Sequence, residues 1–266
     1  MSTTKAQTAR ATILVSGTGS NLQAIIDATK PGKPLHNLIE IIKVFSDREK
    51  GKTGLARAET EGIPTVLLPS KNFKDEYPKK DEEALFDETW RHKFDQELAK
   101  QLLHDKPDMV INAGFMHVYT ADFLASVSII PHLYFRQLIA ISRPISAASI
   151  PIINLHPSLP KSYPKYHIQG ADALKIAYAN FTQKSGAEKW DKTGLMIHYV
   201  IQEVDAGEPI VVQEIPFEES DRLVEEGGHG FDGWVQKFHT YEWVAIVEGA
   251  RKVAVQLLHE KNKGRE

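Results

Sequence analysis

Asn154, His156 and Asp205 are the residues of this 266-residue chain whose types and spacing could do chemistry together. The run IINLHPSLP places Asn154 and His156 two apart at the end of an apolar stretch. In an extended chain, positions i and i+2 face the same side. Pro157 and Pro160 stiffen the exit. The run IQEVDAGEPIVVQ carries Asp205 in a glycine turn between two arms. An amide donor and an imidazolium can both hydrogen-bond a developing oxyanion. A neighbouring carboxylate favours the charged imidazole and can relay protons. That is equipment for acyl-group chemistry. The chain has no cysteine and no serine in a G-x-S-x-G elbow, so direct transfer between two bound substrates fits better than a covalent acyl-enzyme. Each piece alone has a plainer reading. A histidine at a strand end is commonly a structural hydrogen-bonder, and an aspartate in a glycine turn is commonly a turn residue.

A second constellation is Ser16-Gly17-Thr18-Gly19-Ser20-Asn21 within ILVSGTGSNLQAIIDAT. A dinucleotide fingerprint needs G-x-G-x-x-G, and the third glycine position is Leu22, so the pattern fails for a Rossmann cofactor. No Gly-Lys-Ser/Thr follows, so it is not a P-loop. What remains is a glycine turn feeding a helix, whose free N–H groups favour an anion that glycines let come close. A single phosphate monoester fits there. An ordinary strand–helix turn capped by Asn21 fits equally on the turn alone.

The elements that must hold these groups follow from periodicity. Ala11–Val15 reads as a buried strand and Asn21–Thr29 as a helix with Leu22, Ile25 and Ile26 inward, ended by Lys30-Pro31-Gly32. Residues 38–45 form a second strand, 53–61 a helix stopped by Gly62, and 65–68 a third strand. This strand–helix alternation marks a parallel sheet with crossover helices. Residues 71–93 are dense in charge and read mostly as solvated surface, and 94–104 as an amphipathic helix with Phe94, Leu98, Leu102 and Leu103 on one side. Strands are expected at 109–112 and 152–155, and a helix at 171–181. A β-ribbon is expected from 195–200 and 209–215 around VDAGEP, with a closing helix at 241–259. The strand ends at the C-terminal edge of such a sheet are where α/β proteins build sites. With no internal repeat or linker, one domain over 1–266 is expected.

Composition sets outer bounds. Hydrophobic residues are 42% and charged residues 25%, with a net charge of −3; a core is available, and no nucleic-acid or membrane-surface partner is indicated. Without cysteine there is no disulfide or thiolate metal site, and the eleven histidines lack a paired ligand spacing, so no metal is expected. The apolar region 123–153 is broken by Pro131, Arg136, Arg143, Pro144 and Pro151, which argues against a transmembrane helix of ~20 residues. The start MSTTKAQTAR lacks an apolar core, so no secretory signal is expected and the cytoplasm is the default location.

GTGSNLQAII, DMVINAGFM, NLHPSLP and HYVIQEVDAGEPI together resemble the phosphoribosylglycinamide formyltransferase family, nearest to its fungal branch. The resemblance runs in order from Ala11 to about His259. It implies an α/β, Rossmann-like three-layer formyltransferase fold, with a mostly parallel central sheet, a C-terminal β-ribbon and a closing helix. It implies transfer of a formyl group from the co-substrate 10-formyltetrahydrofolate to the amine of glycinamide ribonucleotide, in purine synthesis, through a tetrahedral intermediate. Carried over residue by residue, Asn154 and protonated His156 would stabilise the oxyanion, and Asp205 would raise the His156 pKa and move protons. Gly19, Ser20 and Asn21 would hold the 5′-phosphate, with His239, Thr240, Tyr241 and Glu242 beside the ribonucleotide. Arg91, Met116, His117, Val118 and Tyr119, with Ile201, Gln202, Glu203 and Val204, would line the folate cleft. Core packing is the plainer reading of Met116 and Val118, and a solvated helix face that of Arg91. Small-molecule substrates, no nucleic acid, no membrane and a monomer or weak homodimer are the expected associations.

Three departures from the family pattern stand out. His117 replaces a frequent arginine, Lys165 stands where glycine is usual, and an apolar, proline-broken segment at 126–151 is an atypical insertion. Rival readings share the motif or the fold. A methionyl-tRNA formyltransferase would differ in the first turn and add a nucleic-acid-binding domain. A formyltetrahydrofolate hydrolase would keep Asn, His and Asp but add an N-terminal regulatory domain. A non-catalytic nucleotide-binding module would hold ribonucleotide without a folate site.

Overall fold

The computed structural model describes residues 7–78, 89–127 and 150–263. They fall into two compact units, one within residues 1–152 and 251–266, the other spanning 153–250.

In the first unit the strands are β1 (Ala9–Val15), β2 (Ile39–Ser46), β3 (Thr65–Leu67) and β4 (Met109–Asn112). Their spatial order is β3-β2-β1-β4, and every pairing among them is parallel. β1 lies between two neighbours, which explains why six of its seven residues are buried; a parallel strand covered on both faces reads as a continuous apolar run. Helices α1 (Ser20–Thr29), α2 (Lys52–Thr60), α3 (Ser70–Glu76), α4 (Thr89–Asp105) and α5 (Ala121–Val127) accompany them. As expected from its spacing, α1 buries Leu22, Ile25 and Ile26. α4 likewise buries Phe94, Leu98 and Leu102, whereas Leu103 is exposed.

In the second unit β5 (Ile152–His156), β6 (Lys192–Tyr199) and β7 (Pro209–Pro216) follow one another antiparallel. Helix α6 (Ala173–Thr182) connects β5 to β6. β6 is central and buried, while β7 is the edge strand and mostly open. Helix α7 runs Gly230–Lys263, eleven residues earlier than the sequence pattern places its start. Trp234 and Phe238, one turn apart and both buried, anchor that first stretch, which two glycines and several polar residues disguise. Gly249 of α7 lies where a Cβ would stand 2.6 Å from Ile197 of β6; only a glycine lets the helix approach that strand so closely.

The parallel sheet, ribbon and closing helix are those the sequence indicates. Among the described residues no helix is long and apolar enough to cross a membrane. Most of the insertion expected at 126–151, namely 128–149, lies outside the described residues, as does 79–88 of the charged stretch.

Candidate active site

β5 ends on Asn154-Leu155-His156, and the alternation of a strand puts Asn154 and His156 on one face. Across the antiparallel ladder, Asn154 pairs with His198 and His156 with Met196. The turn after β6 brings Asp205 back to this face. Asp205 adopts a left-handed φ of 53°, a conformation that aspartate tolerates better than most residues. Gly207 completes the turn: a Cβ there would stand 1.6 Å from the Tyr199 carbonyl oxygen, so no larger residue fits.

The result is a buried imidazole facing a buried carboxylate. His156 Nδ1 lies 3.4 Å from Asp205 Oδ2, with side chains 5% and 9% exposed. The opposite ring nitrogen, Nε2, donates to the Ile168 carbonyl at 2.6 Å. Asp205 Oδ2 also accepts the Gly170 N–H at 3.1 Å, and the Gln169 amide donates to the Val204 carbonyl at 3.0 Å. These two bonds tie the 168–170 loop to the 204–205 turn. Burial pushes the His156 pKa down, and this outweighs Asp205 and the Ile168 carbonyl, which push it up. The carboxylate acts in the expected direction, but desolvation wins.

In the first unit the glycine turn is built from backbone. Gly19 precedes α1 with φ 76°, and a Cβ on it would meet Gly54 Cα at 2.7 Å. Both conformation and the approach of α2 require glycine there. Gly17 differs, since no atom lies within 4 Å of its hypothetical Cβ. Packing does not dictate its missing side chain, and the turn stays open at that point. Arg57, which sequence reading passed over, donates from Nε to the Thr18 carbonyl at 2.9 Å and from Nη1 to Gln23 at 3.3 Å. Its signal was spacing: Gly54 and Arg57 lie three apart on α2, one face of a helix.

The segment after β4 alternates. Met116 and Val118 are exposed, 56% and 41%, while His117 and Tyr119 turn inward. His117 Nε2 meets Asp95 Oδ1 at 2.6 Å, and the Tyr119 hydroxyl donates to Asn112 at 2.8 Å while its ring stacks on Phe123. The His117 side chain is thus committed to the interior, and only its backbone faces the segment's surface. Ser16 Oγ accepts the Met116 N–H at 2.8 Å and donates to the buried Asp47 at 2.5 Å. Arg91 lies over the Trp90 ring at 5.6 Å.

In the second unit Gln202, Glu203 and Val204 are exposed and Ile201 is half-buried; Glu203 is paired with Lys161. On α7, Glu242 is buried and lies 4.0 Å from His239 Nε2. Tyr241 is half-buried, and Thr240 is exposed with its hydroxyl on the Lys237 carbonyl. Lys165 reaches the Lys189 carbonyl and covers the Tyr166 ring, which accommodates the residue that stands where glycine is usual. Among the described residues no group of three or more histidine or carboxylate side chains could hold a metal.

A family model described as Formyl transferase matches residues 9–131 and 134–226. A phosphoribosylglycinamide formyltransferase of Saccharomyces cerevisiae is 33% identical over 249 residues, covering 94% of this chain and 99% of its own. One from Schizosaccharomyces pombe is 34% identical over 241 residues, 91% of this chain and 95% of its own. Among solved structures, a phosphoribosylglycinamide formyltransferase from Coxiella burnetii superposes with a TM-score of 0.64 at 26% identity, over 94% of this chain and 88% of the other.

Proposed function

The chain belongs to the formyl transferase family, and on that premise we propose that it transfers the formyl group of 10-formyltetrahydrofolate to the amine of glycinamide ribonucleotide. The observation that carries this reading is the buried His156–Asp205 pair at 3.4 Å, with Asn154 on the same strand face.

The step itself is simple to balance. The amine nitrogen attacks the formyl carbon, and the carbonyl electron pair moves onto oxygen. As the tetrahedral centre collapses, the bond from carbon to the folate nitrogen breaks. The attacking nitrogen loses one proton and the departing nitrogen gains one, so the site must carry a proton without consuming acid or base. Asn154 donates from Nδ2 to the oxygen as its charge develops. His156 has its Nε2 proton committed to Ile168, which leaves Nδ1 as the nitrogen that changes protonation. Burial disfavours a proton on that nitrogen. A growing oxyanion adds to the charge of Asp205 and favours a proton on Nδ1, so the stabilisation strengthens toward the transition state. Asp205, held by the Gly170 N–H, is the carboxylate through which the proton passes, with water as the partner.

Gly19, Ser20 and Asn21 take the 5′-phosphate on the N–H groups at the start of α1, and the open outer side of Gly17 admits it. Arg57 braces the turn. His239 to Glu242 lie beside the ribonucleotide. The exposed Met116 and Val118 side chains, the backbone of 116–119 and 201–204, and Arg91 serve the folate. In this reading residues 1–266 act as one formyltransferase domain on small-molecule substrates in the cytoplasm, as a monomer or weak homodimer.

The test is formyl transfer assayed with both substrates against a control in which water replaces the ribonucleotide. Formylated ribonucleotide, formed only when both are present, is expected. Formate release in the control at the same rate would instead favour a hydrolase.

A further inference from the structure

His198 lies directly opposite Asn154 across the β5–β6 ladder and is only 2% exposed. The mechanism above does not use it. Its Nδ1 is 2.9 Å from the Tyr199 carbonyl oxygen. A carbonyl only accepts, so Nδ1 carries the proton and the neutral ring keeps a lone pair on Nε2. That Nε2 stands 3.3 Å from Asn154 Nδ2 and 3.7 Å from Asp205 Oδ1. The orientation of the Asn154 amide is assigned from this partner. Facing a lone pair, it must present its NH2, because the reverse orientation would set oxygen lone pairs against nitrogen. One amide proton is then spent on His198, and the second remains for a substrate oxygen.

We infer that His198 is a positioning residue: held in its Nδ1–H form by the Tyr199 carbonyl, it fixes the Asn154 amide with its donor toward the reacting oxygen. The inference rests on the oxyanion role proposed for Asn154. Charge in the surroundings agrees with it. Burial pushes the His198 pKa down and His156 pushes the same way, against the Tyr199 carbonyl and Asp205; the net shift is downward, and the ring stays neutral. A proton on Nε2 would go to Asp205 instead, and the Asn154 oxygen would swing toward the ring. The site would then offer an acceptor where the chemistry needs a donor. Gly207 belongs to the same device. A Cβ there would collide with the Tyr199 oxygen and come within 3.4 Å of His198 Nδ1, so the glycine of the DAG turn leaves room for the contact between the two.

A double-mutant cycle between positions 154 and 198 tests this. His198→Leu removes the acceptor and should lower kcat about tenfold to a hundredfold, part of what a whole oxyanion donor contributes, with each KM changed by less than about twofold. In an Asn154→Ala background the same substitution should cost less than about twofold, because its effect runs through an amide no longer present. His198→Gln, whose carbonyl oxygen can accept from the same amide, should recover most of the lost rate. The 15N spectrum of the wild-type imidazole should show a protonated Nδ1 and an unprotonated Nε2, a readout that needs no variant to fold. An equal loss from His198→Leu in both backgrounds, an unchanged kcat, or a proton found on Nε2 would overturn the proposal while leaving Asn154 in its role. Full activity in Asn154→Ala alone would remove that role, and the proposal with it.

Discussion

The buried His117–Asp95 pair of the first unit and the buried His156–Asp205 pair of the second make opposite use of the same side chains. His117 and Asp95 are 2.6 Å apart, with side chains 3% and 2% exposed. Asp95 spends its other oxygen on the Thr120 N–H at 2.7 Å, and the histidine is ringed by Trp90, Phe94, Phe115 and Tyr119. His156 and Asp205 are further apart, at 3.4 Å. Their environment supplies backbone partners and a second histidine but, among the described residues, no aromatic cage. A short, saturated pair sealed by aromatic rings holds a segment still. A longer pair, whose histidine has one nitrogen committed and the other facing a carboxylate across a gap, is free to change its protonation. The lesson is that burial alone does not mark the reactive pair; slack and an uncommitted ring nitrogen do.

Asp95→Ala should break this comparison most visibly from the structural side. It leaves His117 and the Thr120 N–H buried without their acceptor, and loss of one partner of a buried pair costs about 3–5 kcal/mol of stability. Urea unfolding reads this directly; a loss under about 1 kcal/mol would place the pair among surface-type contacts. His156→Ala is the counterpart. It should lower kcat by about 100-fold to 1,000-fold while the thermal midpoint moves only a few degrees. Unchanged turnover would dispose of the proposed role. Ser20→Asp sets a negative charge at the start of α1, and ribonucleotide affinity should fall about tenfold or more, measured by calorimetry; the electrostatics of a helix N-terminus are of this order. Unaltered affinity would remove the phosphate from that turn.

The smallest effect is on acid stability. His156 and His198 both have pKa values lowered by burial from an ordinary 6.5. Below about pH 6.5 the unfolded chain takes up protons that the folded site refuses, so stability falls as pH drops through that value toward the folded ones. The urea midpoint should therefore be lower at pH 5.5 than at pH 7.5. In His198→Leu the drop should be shallower, and an identical drop would deny the histidine that contribution.

Much of the architecture was legible because it is local. The β1–turn–α1 unit falls within one or two residues of its expected limits, since an apolar run, two glycines and an i, i+3, i+4 pattern all agree. The start of α7 was not legible. Gly230 and Gly233 argue against a helix, and only the burial of Trp234 and Phe238 against the rest of the second unit overrides that preference. In the candidate site, Asn154 and His156 share a face by strand alternation, which a sequence displays. His198 opposite Asn154 depends on the register of two strands 44 residues apart, which no local pattern encodes. His117 depends on a distant partner too. It stands where arginine is frequent, and Asp95, 22 residues upstream, draws its side chain inward and leaves its backbone for the surface. The net direction of the His156 pKa shift was likewise out of reach, because desolvation depends on everything packed around the ring.

The most direct test of the working pair is the pH dependence of single-turnover formyl transfer in the wild-type protein and in Asp205→Asn. Removing the carboxylate that raises the His156 pKa should slow the step and move the pH at which activity is lost on protonation of the resting Nδ1 to a lower value. Superimposable profiles with equal rates would contradict the account.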